Sequence, residues 1–296
     1  ILSQCGVESG AMLTTIVGGL LFVAASIMLA RAVLRGSMAW LAALMLVAVP
    51  MCYSAKDMLF VSESFATARI FAVPLSMIAV AMGVRAKLGL ALVLHAAAML
   101  LHPSMALAPL TITVLSRLAP RMVALLVLAG CAAAIGLFAA GALGLVSVVD
   151  GTWLMFVEPA ALVFIGPWIR ADLPVVLGPI FLLLIAHQRG NWRIRQLYGI
   201  TALVAGLAVL LSLVAGEWMP VSILMQAQLW RALWIAQVIG VVALVDLAAR
   251  FVIRRRATFR LPVLVGTIPL LLLTPPGVAW LAVWLLLAGG FAYRAL

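Results

Sequence analysis

The chain has 296 residues, of which 67% are apolar and 9% are charged, with a formal net charge of +11. Soluble domains carry about 45–50% apolar and about 25% charged residues, so a water-soluble globular fold is excluded. A nucleic-acid partner, which such positive charge would indicate in a soluble protein, is not expected either, because the charge falls in short turns between apolar runs, where cytoplasmic loops of membrane proteins gather Lys and Arg.

Taken in chain order, a first span is expected from Ala11 to Ala30, stopped by Arg31 and Arg35, and a second from Ser37 to Ala55. A polar stretch, Lys56 to Arg69, separates these from a third span, Ile70 to Val84, which ends at Arg85 and Lys87. Leu88 to Ser116 is too long for one upright span and is interrupted at His102-Pro103, so it reads as two short helices closed by Arg117 and Arg121. Met122 to Val148 forms the next span, followed by an irregular stretch from Asp150 to Asp172. Spans then run from Leu173 to His187, before Arg189, Arg193 and Arg195, and from Leu197 to Ala215. After a polar interval from Glu217 to Arg231, Ala232 to Ala249 leads to Arg250, Arg254, Arg255, Arg256 and Arg260. Two short spans flank Thr274-Pro275-Pro276, and the chain ends beyond Arg294. The fold class expected is therefore all-α, a polytopic transmembrane bundle of about 10–11 spans forming a single integral membrane domain over residues 1–296.

The positive-inside rule yields one consistent alternation. Fifteen of the 19 basic residues fall inside, and seven of the eight acids fall outside, Asp246 being the exception. The first ten residues lie outside on this scheme, so a protein whose amino terminus is cytoplasmic needs one more span upstream, and residues 1–296 are expected to begin within a longer chain.

The informative residues are the basic ones left at the outer boundary: Lys56, Arg69, Arg170 and Arg231. Charges at this depth face a cavity or a partner. Each has an acid nearby in sequence, namely Asp57, Glu63, Asp172 and Glu217, and local ion pairs would account for each singly. A convergent group of arginines would instead suit a lipid-linked phosphate, which guanidinium binds through two parallel hydrogen bonds. Anionic phospholipid headgroups would satisfy the same electrostatics. His102, at the Pro-broken helix junction, is a candidate general base, a donor to sugar or phosphate, or a helix cap. Glu63 and Asp57 are the candidate carboxylate bases, and Gln228 joins Arg69, Arg170, Arg231 and Lys56 as a candidate substrate contact.

His95 is read as a packing residue, His187 as a member of the inner basic group, and Trp153, Trp168, Trp218 and Trp234 as an interfacial aromatic belt. The three cysteines show no C-x-x-C spacing, and there is no H-E-x-x-H, P-loop, G-x-G-x-x-G, D-x-D or G-x-S-x-G. No metal site and no cofactor is implied, a divalent cation at the phosphate has no sequence support, and chemistry on soluble nucleotides has no platform.

Thr67-Ala-Arg69-Ile-Phe-Ala, then Arg85 and Lys87, then Leu94-His95-Ala-Ala-Ala-Met-Leu-Leu-His102-Pro-Ser104 resembles the layout of bacterial polysaccharide polymerases of the Wzy and EpsG type. Gln228-Leu-Trp-Arg231-Ala-Leu-Trp234 resembles a late segment of membrane proteins similar to GT-C glycosyltransferases. The resemblance is one of pattern, covers about a third of the chain, and departs from the GT-C pattern in retaining only Glu8 of the first outer loop and its acid. It implies transfer from a polyprenyl-phosphate-linked sugar to a glycan or lipid acceptor, among membrane lipids, on the extracytoplasmic side of a bacterial inner membrane. Two other classes stay open: a transporter or lipid flippase, which should show two related halves with broken helices near mid-membrane, and a non-catalytic membrane subunit.

Overall fold

The computed structural model describes residues 6–253, apart from 55–57, 64, 143–148, 158–163, 167, 169–171, 189 and 219–220. Among these residues the chain is helical throughout, with one isolated antiparallel bridge, Cys52 to Phe60. The helices are α1 (Val7–Val33), α2 (Gly36–Ala48), α3 (Arg69–Val84), α4 (Leu88–Leu101), α5 (Pro103–Leu115), α6 (Pro120–Ala142), α7 (Gly151–Val157), α8 (Leu173–His187), α9 (Trp192–Leu213), α10 (Ser222–Ala227) and α11 (Leu233–Ile253). A π-helical turn, Val214–Trp218, extends α9, and a 3₁₀ turn, Leu229–Ala232, joins α10 to α11.

Three stretches are long and apolar enough to cross a membrane: Val7–Val33, Trp192–Gly216 and Leu224–Arg250. The others are shorter apolar helices; α3, at 16 residues, spans about 24 Å at 1.5 Å per residue. The helical pattern expected from hydropathy is present, and its departures have local causes. The second helix ends at Ala48 rather than running on to Ala55, because Val49 precedes Pro50 and adopts an extended conformation, as a residue before proline does. The following segment folds back on itself, with Tyr53 N–H donating to the Leu59 carbonyl at 3.1 Å and Val61 N–H to that of Met51 at 2.9 Å. Leu59 N–H also donates to Ser54 Oγ at 2.8 Å.

α9 starts at Trp192, ahead of its apolar run, because Asn191 Oδ1 accepts from Ile194 N–H at 3.1 Å and caps it. The irregular stretch after Asp150 contains α7, and the polar interval before Arg231 contains α10. The break at His102-Pro103 falls where the sequence places it, with His102 extended (φ −157°, ψ 91°) and Pro103 opening α5. The spans flanking Thr274-Pro275-Pro276 and the basic residues Arg254 to Arg260 lie outside the described residues.

α11 is the axis of the bundle. Its residues from Leu233 to Leu247 are buried, and it packs against α2, α8 and α9. With little hydrophobic force between helices in lipid, close packing and polar bonds hold them together. The closest approaches use small residues: a Cβ on Gly18 of α1 would come within 2.9 Å of the Ile70 side chain, and one on Gly83 of α3 within 2.7 Å of Thr113 Cγ2 on α5. Outward-facing, exposed positions on the helices are large and apolar, such as Leu20 of α1, Val93 and Leu100 of α4, and Leu128 and Ile135 of α6.

His95 and Asp246 are buried inside the bundle with polar partners, whereas Ser76 Oγ and His95 Nδ1 have none among the described residues. His95 Nε2 meets Thr113 Oγ1 at 2.9 Å, in keeping with its reading as a packing residue. Asp246, the acid that broke the alternation, accepts from Arg250 Nε at 2.8 Å and from the Tyr198 hydroxyl at 3.2 Å. The buried carboxylate is therefore neutralised by the arginine one helical turn further along the same helix.

Candidate functional site

Four separate parts of the chain meet at one end of the bundle: the folded-back loop after α2, the start of α3, the α4–α5 break, and the turn between α10 and α11. Arg69 opens α3 and makes an ion pair with Glu63, Nη2 to Oε1 2.6 Å, both side chains largely buried (15% and 4% exposed). Thr67 donates to the other Glu63 oxygen at 2.5 Å. Arg69 Nη1 reaches the Tyr53 hydroxyl at 3.4 Å, and that hydroxyl lies 3.9 Å from the Met105 sulfur on α5. Burial pushes the Tyr53 hydroxyl above its ordinary pKa, while the nearby charges of Arg69 and Arg231 pull the other way.

Arg231 lies in the 3₁₀ turn that follows Gln228. Gln228 has a left-handed backbone (φ 45°, ψ 57°), and its carbonyl accepts from Arg231 N–H at 2.9 Å. A non-glycine residue held there is strained by about 1–2 kcal/mol. The reversal turns Trp230 inward. Its backbone N–H donates to Ser212 Oγ at 2.9 Å, and its ring sits 6.3 Å from Tyr53 and edge-on, 5.5 Å, to Trp168. The Arg231 guanidinium carbon lies 5.9 Å from the Trp230 ring centre. Arg231 has no ion pair among the described residues, Glu217's side chain lying outside them, and its Nε is buried without a hydrogen-bond partner. The Trp230 Nε1 donor is buried and unsatisfied as well.

His102 completes the group. Ser104 Oγ lies 3.2 Å from its Nδ1, so Nε2 is the ring nitrogen not engaged among the described residues. Burial, then the positive charges of Arg231 and Arg69, hold the imidazole below its ordinary value of 6.5. It is therefore neutral at pH 7 and able to accept a proton.

The fates of the sequence candidates differ. Arg69, Arg231, His102 and Glu63 come together; Gln228 shapes the turn that presents Arg231; Lys56, Asp57 and Arg170 lie outside the described residues. The local ion pair expected for Arg69 is present, whereas Arg231 has its neighbours on other elements. Two tryptophans assigned to the interfacial belt are elsewhere. Trp234 is fully buried, with Nε1 donating to the Met105 carbonyl at 3.1 Å, and Trp168 is buried against Trp230. Trp153 and Trp218 are exposed, by 46% and 80%.

Tyr53 and Ser212 were not singled out from the sequence. Tyr53 is one of only three tyrosines in the chain, which was the available signal. Among the described residues no three His, Cys, Asp or Glu side chains gather as a metal site. Comparison with protein-family models, curated proteins and solved structures finds no match.

Proposed function

We propose that this chain is an integral membrane glycosyltransferase or polysaccharide polymerase acting on a polyprenyl-phosphate-linked sugar at the end of the bundle that carries Arg69, His102 and Arg231. In this reading the protein crosses the membrane about 10–11 times, and that end faces outward from a bacterial inner membrane. One observation carries the proposal: two arginines flank a neutral imidazole, and the one without a carboxylate, Arg231, keeps a buried donor unfilled. A buried donor left unsatisfied costs about 1–3 kcal/mol, which a ligand phosphate would relieve.

Arg69, fixed by Glu63 and Tyr53, supplies a preset charge, and Arg231 supplies the second clamp on the phosphate. Both Glu63 oxygens are engaged, so the proton acceptor is His102. The acceptor hydroxyl passes its proton to His102 Nε2 as its oxygen bonds the anomeric carbon. The bond from that carbon to the phosphate oxygen breaks, and the electron pair leaves on the phosphate, stabilised by the two guanidinium groups. No nucleotide is consumed.

The test replaces Arg69 or Arg231 by Ala and measures glycan product in membranes of expressing cells, with Arg85→Ala as a control. Expected is a loss of about tenfold to hundredfold for each site variant, the range for one charged hydrogen bond, with insertion unchanged. Normal product from both variants would remove the phosphate clamp.

A further inference from the structure

The opposite end of the bundle carries a second, unrelated feature. An open cleft of 670 Å³ lies between the start of α6, the end of α8 and the length of α9. Val123, Leu184, Leu203 and Leu207 form its walls, and Trp192 and Arg195 stand at its mouth. On α9 the lining runs from Trp192 to Leu210, about 27 Å at 1.5 Å per residue, close to the thickness of the hydrocarbon layer. A Cβ built on Gly206, within this lining, meets nothing within 4 Å, so the glycine leaves the space open.

The cleft is flanked by basic residues: Arg195 lines it, Arg117 lies three positions before the lining residue Pro120, and Arg193 follows the lining residue Trp192. Arg117, in the turn before α6, has a buried Nη2 with no hydrogen-bond partner. Burial, and then the like charge of Arg193, lower its pKa. Among the described residues, neither of them nor Arg195 has a carboxylate within ion-pair distance. Arg195 Nε instead donates to the His187 carbonyl at 3.0 Å, closing α8 onto α9. Arginines without carboxylates and an unfilled buried donor call for an anion, and the apolar cleft that starts at Arg195 calls for a chain.

We propose that this cleft binds one anionic phospholipid, its phosphate on Arg117 and Arg193 and an acyl chain along α9 between α6 and α8. Free phosphate would satisfy the arginines and leave the apolar walls bare, whereas a neutral lipid would fill the walls and leave the arginines unpaired. Basic pockets between membrane helices take such headgroups, at about 1 kcal/mol per Lys or Arg near the surface. The inference uses none of the residues assigned to the glycosyl-transfer site, so either reading can fail alone.

The test is native mass spectrometry of the purified full chain in detergent, titrated with phosphatidylglycerol or phosphatidylcholine. Expected is retention of one phosphatidylglycerol, favoured about tenfold or more over phosphatidylcholine. Arg117→Gln combined with Arg193→Gln should remove that preference, while Gly206→Phe, which fills the cleft, should weaken both lipids. Equal retention of the two lipids by the unaltered protein would overturn the proposal. So would inorganic phosphate displacing phosphatidylglycerol while Gly206→Phe changes nothing, which marks a simple anion site. Dimeric protein retaining no lipid would give the cleft to a second copy.

Discussion

At the scale of single residues, the candidate site is governed by a cation that is held and a cation that is not. Arg69 is neutralised by Glu63, both side chains being largely buried; replacing Glu63 by Gln leaves a buried guanidinium uncompensated. Breaking such a pair costs about 3–5 kcal/mol, so Glu63→Gln should lower thermal stability in detergent far more than Glu63→Asp. Equal melting of the two would show that the ion pair contributes little.

His102 titrates below 6.5 because of burial and two positive neighbours. The unfolded chain therefore binds its proton more readily than the folded one, and stability falls as pH drops through about 6.5, levelling off below the folded value. Any activity that needs the neutral imidazole should decline over the lower part of the same range. Arg231→Gln removes one positive charge and should raise the His102 pKa, read by NMR titration of labelled histidine without any substrate. An unmoved titration would place Arg231 away from the imidazole.

At the scale of elements, close helix approaches and one strained turn set the geometry. Gly18→Ala and Gly83→Ala force a methyl to within 3 Å of Ile70 and Thr113, overpacking that costs about 1–3 kcal/mol. Gly19, one residue along α1, meets nothing within 4 Å, so Gly19→Ala should be neutral or slightly stabilising through helix propensity. Thermal unfolding of the three variants should separate them in that order, and equal behaviour would mean that α1 and α3 are not in contact through Gly18. Gln228 occupies a left-handed backbone position. Gln228→Gly should relieve about 1 kcal/mol of strain, whereas Gln228→Ala keeps the strain and removes the side chain. A loss of glycan product in both, with only the Gly variant gaining stability, would make the Gln228 side chain a substrate contact rather than a turn former.

At the scale of the whole molecule, residues assigned to one side by charge alone come together in space. Tyr53, Arg69, His102 and Arg231 share one end; Arg117 and Arg193 share the other, where the Arg250 guanidinium also lies against Gly190. α11 joins the two ends, since Arg231 precedes it and Arg250 stands in its last turn. With Cys5, Cys52 and Cys131 replaced by Ser, Cys at Ser62 or Trp218 should react with an impermeant thiol reagent from outside intact cells. Cys at Arg193 should react only after permeabilisation. Labelling of all three from the same side would overturn the alternation.

The sequence by itself determined the membrane character, the order of the helices and the break at His102-Pro103. These are local properties: hydropathy over some twenty residues, the missing N–H and fixed φ of proline, and the bias in loop charge. It also found Arg69, Arg231, His102 and Glu63, because charge at a membrane boundary is costly wherever the chain folds. Only the tertiary structure decided that Tyr53 stands against Arg69, that Trp168 and Trp234 are buried rather than interfacial, and that Arg195 lines an apolar cleft between α6, α8 and α9. Those facts depend on which helix face meets which neighbour. A helix as apolar as α11, with only Gln237, Asp246 and Arg250 polar or charged, has no polar stripe to record that choice, so it is made by the fit of small and large side chains from distant parts of the chain.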